Sequence, residues 1–332
     1  MALTKTIAEI KEVLPKLYST VSNTSTLPNT YRAEYKYIVP VIGTTLYNSL
    51  VTAYEANTLT VKQLQLVKHI RLASVAYATL DEIGLFVLTL QDSGAKKVQQ
   101  GNTEPIRAWE VADLKTTLVN MATDGMELLI TYLLDNKTDF AEWTSSDAYT
   151  KINMLLIKTG ADLNEQYTIY QPQRSFFILK SLLYDVQFLY LYKTIGEELV
   201  VYLRDKVSPT TKEKACISLL KKALGYYTIA KACKNYSVSF SDNGFTILGD
   251  RNTLNGESTQ PADKDLLQMK IKECESEGDS YINLANYELV ALYSDTSVTN
   301  DYKTAFDKSP LKDYVQPVDR TSGNETRKIF RF

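Results

Sequence analysis

The sequence predicts a mostly α-helical protein built from two tandem helical bundles, each with a small β-hairpin, followed by an extended C-terminal arm. Three observations lead to this prediction. A long stretch of sequence occurs twice, apolar residues recur at helical spacing, and two glycine-containing turns lie between short apolar runs.

The internal repeat has a constant offset. Tyr37–Leu50 (YIVPVIGTTLYNSL) matches Tyr190–Leu203 (YLYKTIGEELVVYL) at an offset of 153, and Leu3–Ile10 matches Leu156–Leu163 at the same offset. Residues 3–53 and 156–206 share 12 identities in 51 pairs, whereas composition alone would give about three. Beyond the first loop the offset becomes 150, which pairs Ala73 and Tyr77 with Ala223 and Tyr227. Chance similarity between two amphipathic stretches is the alternative, but it does not explain matching turn residues.

The repeat and the chain length predict the same domain organisation. A chain of 332 residues suits two domains of ordinary size. We therefore expect a first helical unit at 1–145 (copy one), a second at 146–295 (copy two), and an arm at 296–332.

Copy one begins with a predicted helix over Thr4–Tyr18, which Pro15 should kink or shorten. A second helix is predicted from Tyr31 towards Pro40. The Ile42-Gly43 step then leads into a helix through Glu55, with the glycine allowing a turn or a close approach. Further predicted elements are an amphipathic helix over Val61–Thr79 and a last helix from Asp113, as cap or first-turn acid, to about Leu134.

Copy two repeats this order. Ser145-Ser146-Asp147 is a cap candidate at its start, and Asp263 precedes its last helix, which runs to about Tyr293. The Phe176–Tyr192 stretch is more apolar than its counterpart in copy one, so we expect it to be the more buried of the two. Residues from Ser294 onward have no evident counterpart in copy one.

Each copy also contains a hairpin pattern. In copy two, Ser237–Phe240 and Phe245–Leu248 flank Asp242-Asn243-Gly244, and in copy one Phe86–Leu90 and Ala95–Val98 flank Asp92-Ser93-Gly94. We predict interfaces at Asp92, Gly94, Asp242, Asn243 and Gly244, although the hairpins could equally cap their bundles.

The arm is polar and basic, and it finishes with Ile329-Phe330-Arg331-Phe332. It could lack structure altogether. The alternative is that it orders on a partner, with Phe330 and Phe332 as anchors.

Composition excludes several classes of protein. A formal net charge of −2 does not fit a general nucleic-acid binder. We expect neither a secretory signal nor a membrane span, because no charged leader and no apolar run of 18 residues are present. The three scattered cysteines suggest a reducing environment, and the 23 tyrosines suit interfaces or helix packing equally.

A search for chemistry points away from an enzyme. His69 is the only histidine and lies on a helical pattern, so a metal site or a catalytic base is not indicated. Asp92 and Asp242 are explained by turn formation. Glu197-Glu198 suits a helix start or a basic partner. Neither a phosphate-binding loop nor another cofactor motif is present, so we predict no cofactor, no metal site and no catalytic residue.

The order of these motifs resembles that of the small helical head-to-tail connector (adaptor) proteins of tailed bacteriophages. The resemblance is clearest in copy two, in Ile195-Gly196-Glu197-Glu198-Leu199, Ala223–Ala232, Val238–Ile247 and Pro261–Leu266. It covers 190–295 well and 37–135 weakly, and it departs from the family pattern because this chain has two units and carries Val111 in place of Pro261.

The resemblance implies a virion protein that forms a ring, usually of twelve subunits, at the portal vertex. Such a ring joins head to tail and surrounds the channel through which genome DNA passes without sequence-specific binding. The implied partners are the portal protein, downstream tail or ring proteins and other copies of the chain, and no membrane is involved. Another tail or neck completion protein and a non-viral helical interaction module are the alternatives.

Overall fold

In a computed structural model of the chain, the structure describes residues 2–16, 28–83, 88–91, 94–97, 107–241, 244–247, 262–295 and 298–313. These residues are mostly helical, as predicted. The helices are α1 (Ile7–Val13), α2 (Thr30–Ala33), α3 (Val39–Ile42), α4 (Thr44–Glu55), α5 (Val61–Glu82), α6 (Ala108–Asp135), α7 (Ala141–Thr144), α8 (Asp147–Asn153), α9 (Gly160–Gln166), α10 (Pro172–Val186), α11 (Lys193–Ile195), α12 (Glu197–Asp205), α13 (Thr211–Asn235), α14 (Lys264–Tyr293) and α15 (Asn300–Asp307).

Both predicted hairpins are confirmed. Strands β1 (Leu88–Gln91) and β2 (Gly94–Lys97) pair antiparallel, as do β3 (Val238–Ser241) and β4 (Gly244–Ile247). The register places the glycine that opens each second strand opposite the last residue of the first, Gln91 with Gly94 and Ser241 with Gly244. The two hairpins therefore have the same register at an offset of 150.

The repeat extends to individual caps. Thr6 caps α1 by accepting from the Glu9 amide, and Thr159, 153 residues later, caps α9 by accepting from the Asp162 amide. A threonine side chain satisfies a helix N–H that would otherwise lack a partner, so the same start signal operates twice. Helix α1 ends at Val13, two residues before Pro15, which confirms that the proline shortens this helix.

A π-helical turn follows in each copy. It spans Glu34–Ile38 between α2 and α3, and Gln187–Tyr192 between α10 and α11. Each turn begins with a fully buried polar side chain, that of Glu34 in copy one and that of Gln187 in copy two. A π-turn adds a residue to a helical turn and is rare, so its presence at both positions supports a common origin of the copies.

Next comes the glycine step. Gly43 has φ +80° and Gly196 has φ +94°, and each directly precedes a helix, α4 or α12. Side chains are disfavoured at such φ values, and space is also short. A Cβ at Gly43 would lie 3.0 Å from Ser146 Cβ, and one at Gly196 would lie 3.0 Å from Pro310 Cδ. A glycine is therefore required by both conformation and contact.

The segment that contacts Gly196 differs from the sequence-based prediction for the C-terminal arm. We placed 296–332 in an arm without a counterpart in copy one, but residues 298–313 form α15 and a 3₁₀ turn, Pro310–Asp313, with Tyr302, Phe306 and Leu311 buried. This segment follows α14 and closes on Gly196, just as α7 and Ser146 follow α6 and close on Gly43. Residues 298–313 of the segment that we assigned to an arm are therefore folded.

Two further expectations differ from the structure. Asp113 lies inside α6, which already begins at Ala108, so it caps nothing, whereas Asp263 does accept from the Asp265 amide at the start of α14. We expected Phe176–Tyr192 to be more buried than its counterpart in copy one, but it is not over the residues that the structure describes in both copies. Residues 31–39 and 184–192 share the same sequence of buried and exposed positions, and the apolar Leu189, which replaces Lys36, is exposed.

Backbone contacts divide the chain into two compact units, Met1–Lys180 with Asn235–Leu267, and Ser181–Lys234 with Gln268–Phe332. In the first unit the core lies among α4, α5 and α6 and includes Tyr47, Leu50 and Ile70. Trp143 of α7 completes it and donates from Nε1 to the Val41 carbonyl at 3.1 Å. The predicted boundaries at 145 and 295 stay predictions.

In the second unit, stacked tyrosines join the helices. Tyr190 stacks on Tyr227 with 4.3 Å between ring centroids, and the Tyr227 hydroxyl donates to Asp279 at 2.6 Å. The equivalent pair in the first unit, Tyr37 and Tyr77, stacks at 3.9 Å. Such pairs add about 0.5–1.5 kcal/mol beyond the apolar area that they bury.

Replacing Gly196 with valine should destabilise the second unit. Strain at positive φ and crowding against Ser309 and Pro310 together should lower the free energy of unfolding by about 2–5 kcal/mol. Urea unfolding followed by circular dichroism measures this, with Glu197→Ala, an exposed change next to the step, as the control. An unfolding midpoint equal to that of the control would show that the glycine is not structurally required.

Candidate interaction site

Each copy exposes aromatic side chains on the helix that leads to the glycine step. In copy one Tyr31 and Tyr35 are 47% and 42% exposed, and in copy two Tyr184 and Phe188 are 47% and 52% exposed. The offset is 153 for both pairs. We call residues 31–36 stripe one and residues 184–189 stripe two.

The stripes are exposed because the same helices bury their opposite faces. In stripe one the buried residues are Ala33 and Glu34, and in stripe two they are Val186 and Gln187. Residues four apart lie on one helical face, so the two aromatic residues of each stripe are on the same side of their helix. The rings of Tyr31 and Tyr35 are 4.7 Å apart between centroids. Each stripe is therefore an apolar solvent-facing surface made by a helix whose core side is already filled.

The two stripes differ in charge. Arg32 and Lys36 flank the aromatic residues of stripe one, whereas Asp185 and Leu189 occupy the equivalent positions in stripe two. Leu189 is itself 39% exposed. The stripes thus share their shape and aromatic content, but stripe one is basic while stripe two is more apolar and carries a carboxylate.

The copy-two hairpin, a predicted interface, is attached to the rest of its unit. The Phe245 amide donates to the Thr168 carbonyl at 3.1 Å, and the Tyr170 amide donates to the Phe245 carbonyl at 2.9 Å. Gly244 has φ +103°, and a Cβ there would lie 2.6 Å from the Thr168 oxygen. The outer edge of β4 is therefore occupied by residues 168–170. This favours the capping alternative for β4, while an interface role for the tip stays a prediction.

Several predicted interface residues cannot be placed. Asp92, Asp242, Asn243, Phe330 and Phe332 lie outside the described residues. Gly94 opens β2 opposite Gln91, which fixes its backbone position only. The predictions made for these residues remain untested by the structure.

A buried carboxylate holds the start of the chain in the first unit. Glu34 is fully buried and accepts from the Leu3 amide at 2.9 Å, the Thr4 amide at 3.2 Å and the Tyr47 hydroxyl at 2.7 Å. Burial raises the pKa of Glu34, although the hydrogen bonds from Tyr47, Leu3 and Thr4 oppose the rise. Glu34 thus links the chain start to α4.

A second polar group fixes the same segment. Arg71 donates from Nε to the Leu3 carbonyl at 3.1 Å and forms an ion pair with Glu9, which also accepts from the Tyr54 hydroxyl. Burial alone would raise the pKa of Glu9, but the hydrogen bonds from Tyr54, Lys5 and Thr6 and the charge of Arg71 together lower it. Both acids therefore serve structural attachment.

The remaining candidates also have structural roles. His69 lies 3.2 Å from Gln65 within α5, between Nε2 atoms, and burial lowers its pKa. Glu197 and Glu198 lie in the first turn of α12, as the helix-start interpretation predicts, and Glu198 also forms an ion pair with Lys308 at 2.9 Å. Cys216, Cys233 and Cys274 are buried. Within the described ranges, acids, cysteines and histidine form no metal-binding group, and no helix is long and apolar enough to cross a membrane.

Sequence reasoning missed the stripes, although a signal was present. Tyr31 and Tyr184 are among the 12 identities of the repeat, and Tyr35 matches Phe188. Apolar residues at helical spacing are usually assigned to a core, and these helices have another apolar face that fills it. The stripes could have been predicted from the aromatic pair that both copies repeat on a helical face other than the one that faces the core.

Comparisons with known proteins agree with the duplication and leave the function open. A family model described as "Family of unknown function (DUF6712)" matches residues 38–153 and 178–289, which together exceed half of the chain. No curated protein matches, and no solved structure matches.

Replacing Glu34 with glutamine should change how stability depends on pH. An acid with a raised folded-state pKa contributes stability that is full below the unfolded value of about 4.5 and is lost as pH rises through the folded pKa. The unfolding free energy of wild type minus that of Glu34→Gln should therefore fall as the pH rises above about 4.5.

Urea unfolding at a series of pH values measures this difference. Glu12→Gln, a change at an exposed acid of α1, is the control and should leave the pH profile nearly parallel to wild type. A difference for Glu34→Gln that stays flat or rises with pH would contradict the prediction.

Replacing Gly244 with alanine should loosen the copy-two hairpin. The new Cβ would meet the Thr168 carbonyl oxygen, and positive φ adds strain, for a total cost of about 2–4 kcal/mol. Hydrogen exchange should show faster exchange of the Phe245 and Tyr170 amides, with Ser237→Ala, an exposed change before β3, as the control. Unchanged protection of both amides would mean that the hairpin is not held by this contact.

Proposed function

We propose that this chain, which belongs to the family of unknown function DUF6712, is a structural virion protein of a tailed bacteriophage. The proposal is based on the architecture of the chain itself. In this proposal it forms a ring at the portal vertex, joins head to tail and surrounds the DNA exit channel. The proposal includes no catalytic residue and no cofactor.

The main support for this proposal is that both copies have the same order of helices and hairpin. The motifs that resemble the connector family lie in the order helix, glycine step, long helix, hairpin and last helix, and that order occurs in both copies. The caps Thr6 and Thr159, the glycines and the stacked tyrosines are repeated as well. The two copies thus share one scaffold, as a protein that works through packed surfaces requires.

A ring also explains the exposed features. In a closed ring each subunit uses two different surfaces, one for each neighbour. Stripe one and the hairpin tips are the surfaces that we assign to such contacts, because Tyr31 and Tyr35 are exposed aromatics and aromatic residues are enriched in protein interfaces. A formal net charge of −2 suits a channel that DNA traverses without being retained.

The proposed partners are the portal protein, downstream tail or ring proteins and further copies of this chain, in the neck of the virion. A ring of twelve chains is expected. The alternatives are another tail or neck completion protein and a non-viral helical interaction module. Either would have the same helical scaffold but would not form a ring at the portal vertex.

The decisive experiment mixes the purified chain with the portal protein encoded in the same genome and measures mass and shape by mass photometry and electron microscopy. A closed ring seated on the portal is expected. A chain that remains monomeric beside its portal would refute the proposal, and a ring that binds only tail components would favour a completion protein.

The Tyr31→Asp variant tests the assigned surface. A charge placed in stripe one should weaken assembly at least tenfold, which corresponds to about 1.4 kcal/mol or more. Val61→Asp is the matched control, because Val61 is 86% exposed and lies outside both stripes. Equal assembly of the two variants would exclude stripe one from the contact, provided that both unfold at the temperature of wild type.

A further inference from the structure

Stripe two has the composition of a small apolar binding surface. Tyr184, Phe188 and Leu189 are 47%, 52% and 39% exposed, and the Phe188 ring lies 6.1 Å from that of Tyr192 between centroids. Their exposed area amounts to about 300 Å², since a large apolar side chain presents on the order of 200 Å². Contiguous apolar patches of this size on a single chain are often functional.

The size of the surface limits its occupant. A stable contact between two folded proteins buries about 800 Å² on each partner, well above what stripe two offers. Two or three apolar side chains of a short extended segment would cover about 300 Å². Stripe two therefore fits a short peptide segment better than the face of a second folded domain.

The charge of stripe two favours a basic segment. Asp185 lies between Tyr184 and Phe188, and its side chain is 54% exposed. Its cationic neighbour Lys231 approaches only to 3.9 Å, the outer limit of an ion pair, so the carboxylate can still bind a second cation. In stripe one the equivalent residue is Arg32, whose positive charge would repel the same segment, whereas Lys36 is paired with Asp81 at 3.1 Å.

The chain itself contains a segment of this kind. The nineteen residues that follow Asp313 contain four basic and two acidic side chains, which gives them a formal charge of +2. They include Ile329-Phe330-Arg331-Phe332, in which three apolar side chains accompany a cation, with Arg327 and Lys328 next to them. Their composition complements both the aromatic surface and the carboxylate of stripe two.

The segment is tethered within reach. Residues 309 and 310 lie against Gly196, and the Ser309 hydroxyl donates to the Ile195 carbonyl. Phe188 lies seven residues before Ile195 along continuous helix, or about 10 Å at 1.5 Å per residue. Nineteen extended residues can span about 60 Å. A tether of this length gives an effective concentration in the millimolar range, so a contact within the chain is favoured over one between chains.

We propose that residues 329–332 dock on stripe two of the same chain, with Phe330 and Phe332 against Tyr184, Phe188 and Leu189, and with Arg331 beside Asp185. The docked segment covers the exposed apolar surface of copy two. Stripe one remains uncovered, because Arg32 repels the segment. This inference does not depend on the proposed ring function.

Photo-crosslinking in the full chain tests the proposal. Benzoylphenylalanine replaces Phe188 in one variant and Tyr35, the equivalent residue of stripe one, in the matched control. After irradiation at micromolar concentration, cleavage after Glu325 releases a peptide with residues 326–332, and mass spectrometry identifies what it is joined to. We expect this peptide to be crosslinked to position 188 of the same chain, with a yield at least fivefold higher than at position 35. The yield at position 188 should fall at least fivefold in the double variant Phe330→Ser with Phe332→Ser. It should fall by a similar factor in Asp185→Arg.

Each other result overturns the proposal. Equal yields at 188 and 35 would show that the segment does not select stripe two. Crosslinks confined to chain dimers, identified with a mixture of ¹⁵N-labelled and unlabelled protein, would show that the occupant comes from a second copy. A yield unaffected by the double serine variant would remove Phe330 and Phe332 as anchors. Circular dichroism confirms that every variant is folded before its yield is interpreted.

Discussion

Two glycines with positive φ determine the course of the chain in both copies. At Gly43 and Gly196 the helix that carries a stripe ends, and the next helix begins in a new direction. The lack of a side chain also lets the closing segment of the copy, Ser146 or Ser309-Pro310, approach to van der Waals contact. Because one position sets both the turn and the closure, the helices of each copy can pack only if it remains glycine.

Around this fixed geometry the copies have diverged in their chemistry. The first buried side chain of the π-helical turn is a carboxylate in copy one and an amide in copy two, Glu34 and Gln187. The carboxylate binds the backbone amides of Leu3 and Thr4, whereas the amide donates to the Tyr192 hydroxyl. The same backbone therefore accommodates a pH-dependent attachment in one copy and a neutral hydrogen bond in the other.

The sequence was sufficient for the parts of the fold that depend on local rules. The repeat, the glycine step, both hairpins and the cap at Asp263 follow from spacing and turn chemistry. The fold of 298–313 could not be predicted, because Tyr302, Phe306 and Leu311 become core residues only once α12 supplies the surface that they cover. The stripes were missed because Tyr184 and Phe188 have the spacing of core residues. In the structure, Leu183 and Leu191 of the same helix face the core instead. Both cases depend on which of several apolar faces has a partner, and long-range packing decides that.

The opposite charges at Arg32 and Asp185 make the two copies distinguishable to a ligand. A duplicated scaffold with identical surfaces would let any ligand exchange between two equivalent places, and an assembly built on it could form in two registers. The charge at Arg32 would favour an acidic ligand and the charge at Asp185 a basic one, and added salt would weaken both attractions. The duplicated scaffold therefore carries two surfaces that a neighbouring molecule can tell apart by their charge.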